Sequence, residues 1–197
     1  MSLTDRIKKL TKDIEENPND AEAYFNRGNA YYNLQQYELA IKDYNKAIEL
    51  NPEYADAYNN RGVAYADLQQ HELAIEDYNK AIELNPNDAE AYNNRGNSYK
   101  DLKNYELAIN DYNKAIELKP DYAKAYYNRG NSYEDLQQYE LAINDYNKAI
   151  KLNPDYAEVY FNRRITYKNL KNHELELEDY NKAIELNPND AEAYFNR

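Results

Sequence analysis

Few side chains in this sequence could do covalent or metal chemistry, and none stands in an arrangement that would. There are two histidines, His71 and His173, and no cysteine. That excludes a thiolate nucleophile, a disulfide framework and a cysteine metal site, and it leaves imidazole too scarce for a histidine-built centre. Both histidines stand where Tyr37, Tyr105 and Tyr139 stand elsewhere, which reads as an amphipathic residue at a helix start. Carboxylates are plentiful, 36 against 24 Lys and Arg, but most recur periodically, as solvated helix faces do. Catalysis by paired carboxylates needs a singular site. Each glycine lies inside a predicted helix, so no glycine-rich phosphate loop forms. The sequence therefore reads as non-enzymatic, with no metal and no cofactor. One side chain does recur without exception, an amide: Asn26, Asn60, Asn94, Asn128, Asn162 and Asn196. Asparagine has no helix-propensity advantage. Its one acceptor and two donors match a peptide backbone.

The elements that would position these amides follow from the punctuation. Pro18, Pro52, Pro86, Pro120, Pro154 and Pro188 are each 34 residues apart, as are Gly28, Gly62, Gly96 and Gly130, and no Pro or Gly lies off this grid. A fixed period of that size is the signature of a stacked repeat array. Within one unit, Ala23, Tyr24, Gly28 and Tyr31 keep helical spacing from Asp20 to Leu34. Gln35-Gln36 breaks the pattern, and Ala40, Ile41, Tyr44, Ala47 and Ile48 resume it from Tyr37 to Leu50. Asn51-Pro52 then stops the second helix. Glu38, Glu72, Glu106, Glu140 and Glu174 sit in the first turn of that helix, where carboxylates complement the dipole. Each unit is thus a helical hairpin that cannot bury its own apolar stripe.

Charge narrows the partners. The 197 residues carry a net charge of −12, against the basic face that nucleic acids require. Charged residues at short intervals exclude a transmembrane span. The opening Met1–Arg6 lacks the apolar core of a signal peptide, so the chain reads as cytoplasmic.

The matches at Tyr24, Gly28, Tyr31, Ala40, Tyr44 and Pro52, repeated through residues 17–197, resemble the tetratricopeptide repeat family, with tyrosines for its Trp and Phe. The resemblance implies an all-α, right-handed α-solenoid (superhelix) of stacked antiparallel hairpins. It divides the chain into a capping half-repeat helix (1–16), five repeats (17–50, 51–84, 85–118, 119–152, 153–186) and a truncated first helix (187–197), twelve helices in all. Arg27, Arg61, Arg95, Arg129 and Arg163 stand where the family has Leu. Each either pairs with the Asp of the second helix (Asp43, Asp77, Asp111, Asp145, Asp179) or lays its stem over the core with its head in water. In the fifth unit Arg164 replaces Gly and Glu176 replaces Ala. Their opposite signs point to a compensating pair in a wider, looser hairpin, with plain degeneration of the repeat as the alternative.

In this family the first helices line the concave groove where ligands bind. The resemblance therefore implies a protein–protein interaction scaffold that holds an extended peptide through an asparagine ladder with aromatic anchors. The groove residues would be Phe25, Asn26, Asn29, Tyr32, Asn59, Asn60, Asn93, Asn94, Asn97, Lys124, Tyr127, Asn128, Asn131, Phe161 and Asn162. The alternative for the ladder is that each Asn bonds to its neighbouring hairpin and stiffens the stack. Most of the 24 tyrosines fall at repeat packing positions, and Tyr32 and Tyr127 are left facing the groove. Its charges lean acidic through Glu22, Asp56, Asp67, Glu90, Asp101, Asp135 and Glu158, which suggests a partner with apolar anchors and basic residues. The carboxylate clamp for chaperone tails lacks its lysine and arginine here. A second class of reading is a structural array assembling head-to-tail through its unfinished ends. The close identity of the repeats also fits a fragment of a longer array, or design from a consensus with no natural ligand.

Overall fold

The computed structural model describes residues 2–188. Among them are eleven α-helices and no strand. The helices are α1 (Leu3–Glu16), α2 (Ala21–Asn33), α3 (Tyr37–Leu50), α4 (Ala55–Asp67), α5 (His71–Leu84), α6 (Ala89–Asp101), α7 (Tyr105–Leu118), α8 (Ala123–Asp135), α9 (Tyr139–Leu152), α10 (Ala157–Asn169) and α11 (His173–Leu186). The expected twelfth helix lies outside the described residues.

The chain divides after Leu102 into two units. In the first, α2/α3 and α4/α5 are hairpins, α1 packs on α2, α3 on α4 and α5 on α6. In the second, α8/α9 and α10/α11 are hairpins, α7 packs on α8 and α9 on α10.

The cores are thin, built from alanine and tyrosine. Ala40, Ala47, Ala57, Ala64, Ala74 and Tyr44 are buried in the first unit, and Ala125, Ala142, Ala149, Val159 and Tyr146 in the second. A large ring can lie between helices this close only where its neighbour has no side chain. A Cβ on Gly28 would come within 2.7 Å of Tyr44 Cε1, and a Cβ on Gly62 or Gly130 would come within 2.7 Å of the same atom of Tyr78 or Tyr146. The glycines of the period are notches for tyrosines.

The hairpin turn is made by a residue of the wrong type for its backbone. Gln35, Gln69, Lys103, Gln137 and Lys171 all sit at φ between 57° and 60°, the left-handed region. At the first turn Gln35 N–H donates to Tyr32 C=O (2.8 Å) and Gln36 N–H to Tyr31 C=O (3.0 Å), which is the Schellman closure of α2. The expected pattern break at Gln35-Gln36 is therefore a built helix stop. Entry into the next first helix varies. Asp20 accepts from Ala23 N–H, and Asp88 from Glu90 and Ala91 N–H, whereas Tyr54, Tyr122 and Tyr156 fill the position with no side-chain cap.

Candidate functional site

Three polar layers join the helices, and they differ in what they leave available. The deepest is an arginine node. Arg27 Nε and Nη2 donate to Asp43 at 2.7 and 2.8 Å, and the same two-point fork joins Arg61 to Asp77, Arg129 to Asp145 and Arg163 to Asp179. Of the two sequence alternatives, pairing is the one realised. The third guanidinium nitrogen reaches back to the preceding second helix: Arg61 Nη1 to Asn45, Arg129 to Asn113, Arg163 to Asn147, and Arg27 to Thr11 of α1. Each guanidinium also stands over two tyrosine rings, as Arg61 does over Tyr58 and Tyr65 at 5.5 and 6.0 Å. The hydrogen bond that Arg27 donates to Asp43 raises the pKa of Arg27 against the opposing effect of burial. At Asp77 burial dominates and lifts the carboxyl above its ordinary range despite Arg61. With all three guanidinium nitrogens bonded within the protein, the node is structural. The asparagine that completes it was missed from sequence, although Asn45, Asn79, Asn113 and Asn147 keep the same period.

The second layer contains the predicted ladder. Its amides bond first to one another. In the first unit Asn94 Nδ2 donates to Asn59 Oδ1 (3.3 Å), Asn59 Nδ2 to Asn60 Oδ1 (3.3 Å) and Asn60 Nδ2 to Asn29 Oδ1 (2.9 Å). Asn29 Oδ1 also accepts from the Tyr44 hydroxyl at 2.8 Å. The result is one relay of amides crossing α2, α4 and α6. The second unit repeats its end: Asn162 Nδ2 and Tyr146 Oη both donate to Asn131 Oδ1 at 2.8 Å, and Asn162 Nδ2 lies 3.0 Å from Tyr127 Oη. Asn26 accepts a long 3.5 Å bond from Arg6 of α1. Asn59, Asn93 and Asn128 are buried, while Asn26, Asn29, Asn60, Asn94, Asn97, Asn131 and Asn162 are half-buried.

The third layer is aromatic. Phe25 packs on Tyr54 and Tyr44 with centroids 4.8 and 6.0 Å apart, and Tyr127 on Tyr156 and Tyr146 at 5.1 and 6.3 Å. Tyr32 stacks on Tyr37 and donates to Asp67 at 2.6 Å. Phe25 and Tyr127 thus bind the first tyrosine of the following repeat, and Phe25, Tyr32 and Tyr127 are each half-buried. Lys124 is exposed.

The fifth unit differs from expectation. Arg164 does not meet Glu176. Its guanidinium lies over Phe161 at 4.7 Å and Tyr180 at 5.5 Å, while Glu176 bonds His173 at 3.1 Å. The pairing fails because Phe161 and Tyr180 offer ring faces to a cation whose Nε is buried with no hydrogen-bond partner.

Helical hairpins of fixed period, with tyrosines seated in glycine notches, are the geometry of one repeat type. Sequence descriptions of "TPR repeat" match residues 28–69 and 96–137, and those of "Tetratricopeptide repeat" match 55–88, 123–156, 12–42, 77–110 and 157–190. The chain belongs to the tetratricopeptide repeat family. It is an all-α solenoid of repeats, in a family of protein-interaction scaffolds. The crystal structure of MamA is similar at 26% identity and TM-score 0.74, covering 84% of this chain and 96% of that one. YrrB, described as a TPR protein with an unusual peptide-binding site, is 27% identical at TM-score 0.71 over 91% of this chain and 93% of its own. The APC/C hetero-tetramer Cut9–Hcn1 shares the fold at 20% identity and TM-score 0.84, with 98% of this chain covering 38% of that one. No curated protein matches the chain in sequence. Among the described residues no helix is long and apolar enough to cross a membrane.

Proposed function

We propose that this tetratricopeptide repeat chain is a non-enzymatic scaffold that holds an extended peptide along its first helices, each repeat (17–50, 51–84, 85–118, 119–152, 153–186) contributing one step. The observation that carries the reading is the unspent capacity of the amide row. Asn94 spends one N–H on Asn59 and keeps its other N–H and its amide oxygen. Asn162 uses its donors and keeps its carbonyl oxygen. The bonds between hairpins thus orient the amides in advance, which lowers the ordering cost of binding. The ladder then serves stack and ligand together.

Charge selects the ligand. In the first unit Glu22, Asp56, Asp67, Glu90 and Asp101 are all exposed along the first helices, with Lys100 their half-buried counterweight. In the second, Lys124 and Lys168 offset Asp135 and Glu158. A basic peptide with apolar anchors suits the first unit, steered by complementary potential. Head-to-tail assembly fits less well: α1 carries Arg6 and Lys9 where α3 carries Ala40 and Asp43, so an incoming first helix would meet cations instead of its carboxylate partner.

A peptide-library screen on the wild type and on an Asn60→Ala/Asn94→Ala/Asn128→Ala variant tests the ladder. Because Asn60 and Asn94 also join hairpins, helicity is checked at the assay temperature. Loss of binding with helicity retained is expected. Unchanged affinities would remove the ladder.

A further inference from the structure

Three buried tyrosines are seated under glycines, but only two of their hydroxyls find an acceptor in the protein. Tyr44, Tyr78 and Tyr146 are 1%, 2% and 0% exposed. The hydroxyls of Tyr44 and Tyr146 donate to Asn29 and Asn131, the asparagines fifteen residues before them. The residue fifteen before Tyr78 is Val63. The acceptor is gone, and among the described residues nothing takes its place: the Tyr78 hydroxyl has no hydrogen-bond partner, and it is not among the atoms sealed from solvent. The relay has also moved away from it, since Asn94 bonds Asn59 where Asn60 bonds Asn29.

What surrounds the hydroxyl is specific. Gly62 fixes the ring, with its would-be Cβ 2.7 to 3.1 Å from Cε1, Cδ1 and Cζ of Tyr78. Val63 and Asp67 are four apart on α4 and share a face. Asp67 already accepts from Tyr32 of α2 at 2.6 Å and keeps an exposed side chain. Burial first, then the Asp67 and Tyr32 charges, hold the Tyr78 phenol above its ordinary pKa, so at neutral pH it is a donor.

The geometry points to a peptide subsite in the first unit: Tyr78 Oη donates to a backbone carbonyl of the ligand, Val63 receives an aliphatic side chain beside it, and Asp67 pairs with a neighbouring Lys or Arg of the same peptide. The inference rests on the peptide-scaffold reading and deepens it by naming a donor, an apolar seat and a charge. A hydroxyl with no acceptor in the protein but open to solvent leaves that hydrogen bond to water, and a ligand carbonyl takes the water's place. Val63 is what withholds the internal acceptor.

The test uses the full chain and a positional-scanning library of decapeptides with one aliphatic and one basic residue fixed at each pair of positions. Binding is measured on wild type, Tyr78→Phe, Val63→Asn and Tyr44→Phe. Peptides with adjacent aliphatic and basic residues should be selected. Tyr78→Phe should weaken them about three- to tenfold, the worth of one hydrogen bond. Val63→Asn supplies the internal acceptor that the other hairpins have and should weaken them about tenfold or more. Tyr44→Phe should keep full affinity. The melting temperature gives a readout without ligand: Tyr78→Phe should leave it within about 1 °C, while Tyr44→Phe, which removes one of the two donors to Asn29, lowers it by roughly 2–4 °C per kcal/mol lost. Equal affinity of wild type, Tyr78→Phe and Val63→Asn for the selected peptides overturns the subsite and leaves the scaffold reading standing. A fall in melting temperature of Tyr78→Phe equal to that of Tyr44→Phe also overturns it, because the hydroxyl would then be bonded within the protein. No peptide bound by wild type sinks both readings.

Discussion

Removing the carboxylate of one arginine node should destabilise the stack far more than removing a surface ion pair. The Asp77→Ala change is the clearest case. Arg61 and Asp77 side chains are 18% and 7% exposed and are joined by two bonds of 2.7 and 2.6 Å. Deleting one partner of a buried pair costs about 3–5 kcal/mol, because the other charge stays desolvated. Arg61 keeps Asn45 and the faces of Tyr58 and Tyr65, so the lower end, ~3 kcal/mol, is expected. At roughly 2–4 °C per kcal/mol for a chain of this size, that lowers the melting temperature by roughly 6–12 °C. Burial already lifts the Asp77 carboxyl despite Arg61, so desolvation, and not attraction, sets the cost. The double change Arg61→Leu/Asp77→Leu should therefore recover to within about 1 kcal/mol of wild type, since an apolar pair of similar volume avoids desolvation altogether. The measurements are helical circular dichroism against temperature and urea, with amide exchange in α4 and α5 because a repeat stack can open locally. If Asp77→Ala costs under about 1 kcal/mol, the fork behaves as an exposed pair and the reasoning is wrong. A double variant no better than the single change would also refute it.

Gly62→Ala should destabilise by about 1–3 kcal/mol, in spite of alanine's better helix propensity, because its methyl would stand 2.7 Å from the Tyr78 ring; a raised melting temperature would contradict the notch. Gln35→Gly should stabilise by about 0.5–1 kcal/mol by relieving a left-handed residue at φ 57°, seen as a higher urea midpoint at unchanged slope. Alkaline pH should unfold the chain cooperatively. Burial raises the phenols of Tyr44, Tyr78 and Tyr146, so the native state holds protons that the unfolded state has lost above about pH 10. Stability is intact below that pH and falls above it by about 1.4 kcal/mol per pH unit for each tyrosine. With no tryptophan present, tyrosinate absorbance reads the transition directly, and ionisation well before helix loss would refute the linkage.

The sequence by itself determined whatever repeats. Proline and glycine spacing located the hairpins, and the helix bounds Tyr37 and Leu50 were readable from apolar periodicity because a stripe at 3.6-residue spacing has one way to be buried. It also offered Asp43 as one of two ends for Arg27, since both recur in step, and the fold chose the pairing. Tertiary structure decided what the same residues bond to. Asn60 was readable as a polar groove residue, yet only the packing of α4 on α2 puts its amide on Asn29, thirty-one residues away. Phe25 was readable as an exposed aromatic, and Tyr54 of the following repeat covers one of its faces. Arg164 and Glu176 had opposite charges in one hairpin, but the guanidinium lies over two ring faces and the carboxylate bonds His173. In each case the partner lies on another helix, and which of several chemically suitable partners comes within 3 Å is set by how the helices pack. Tyr78 shows the division most sharply. The substitution of Val63 in the period was legible, and only the fold reveals that it leaves the hydroxyl of a buried ring without its acceptor.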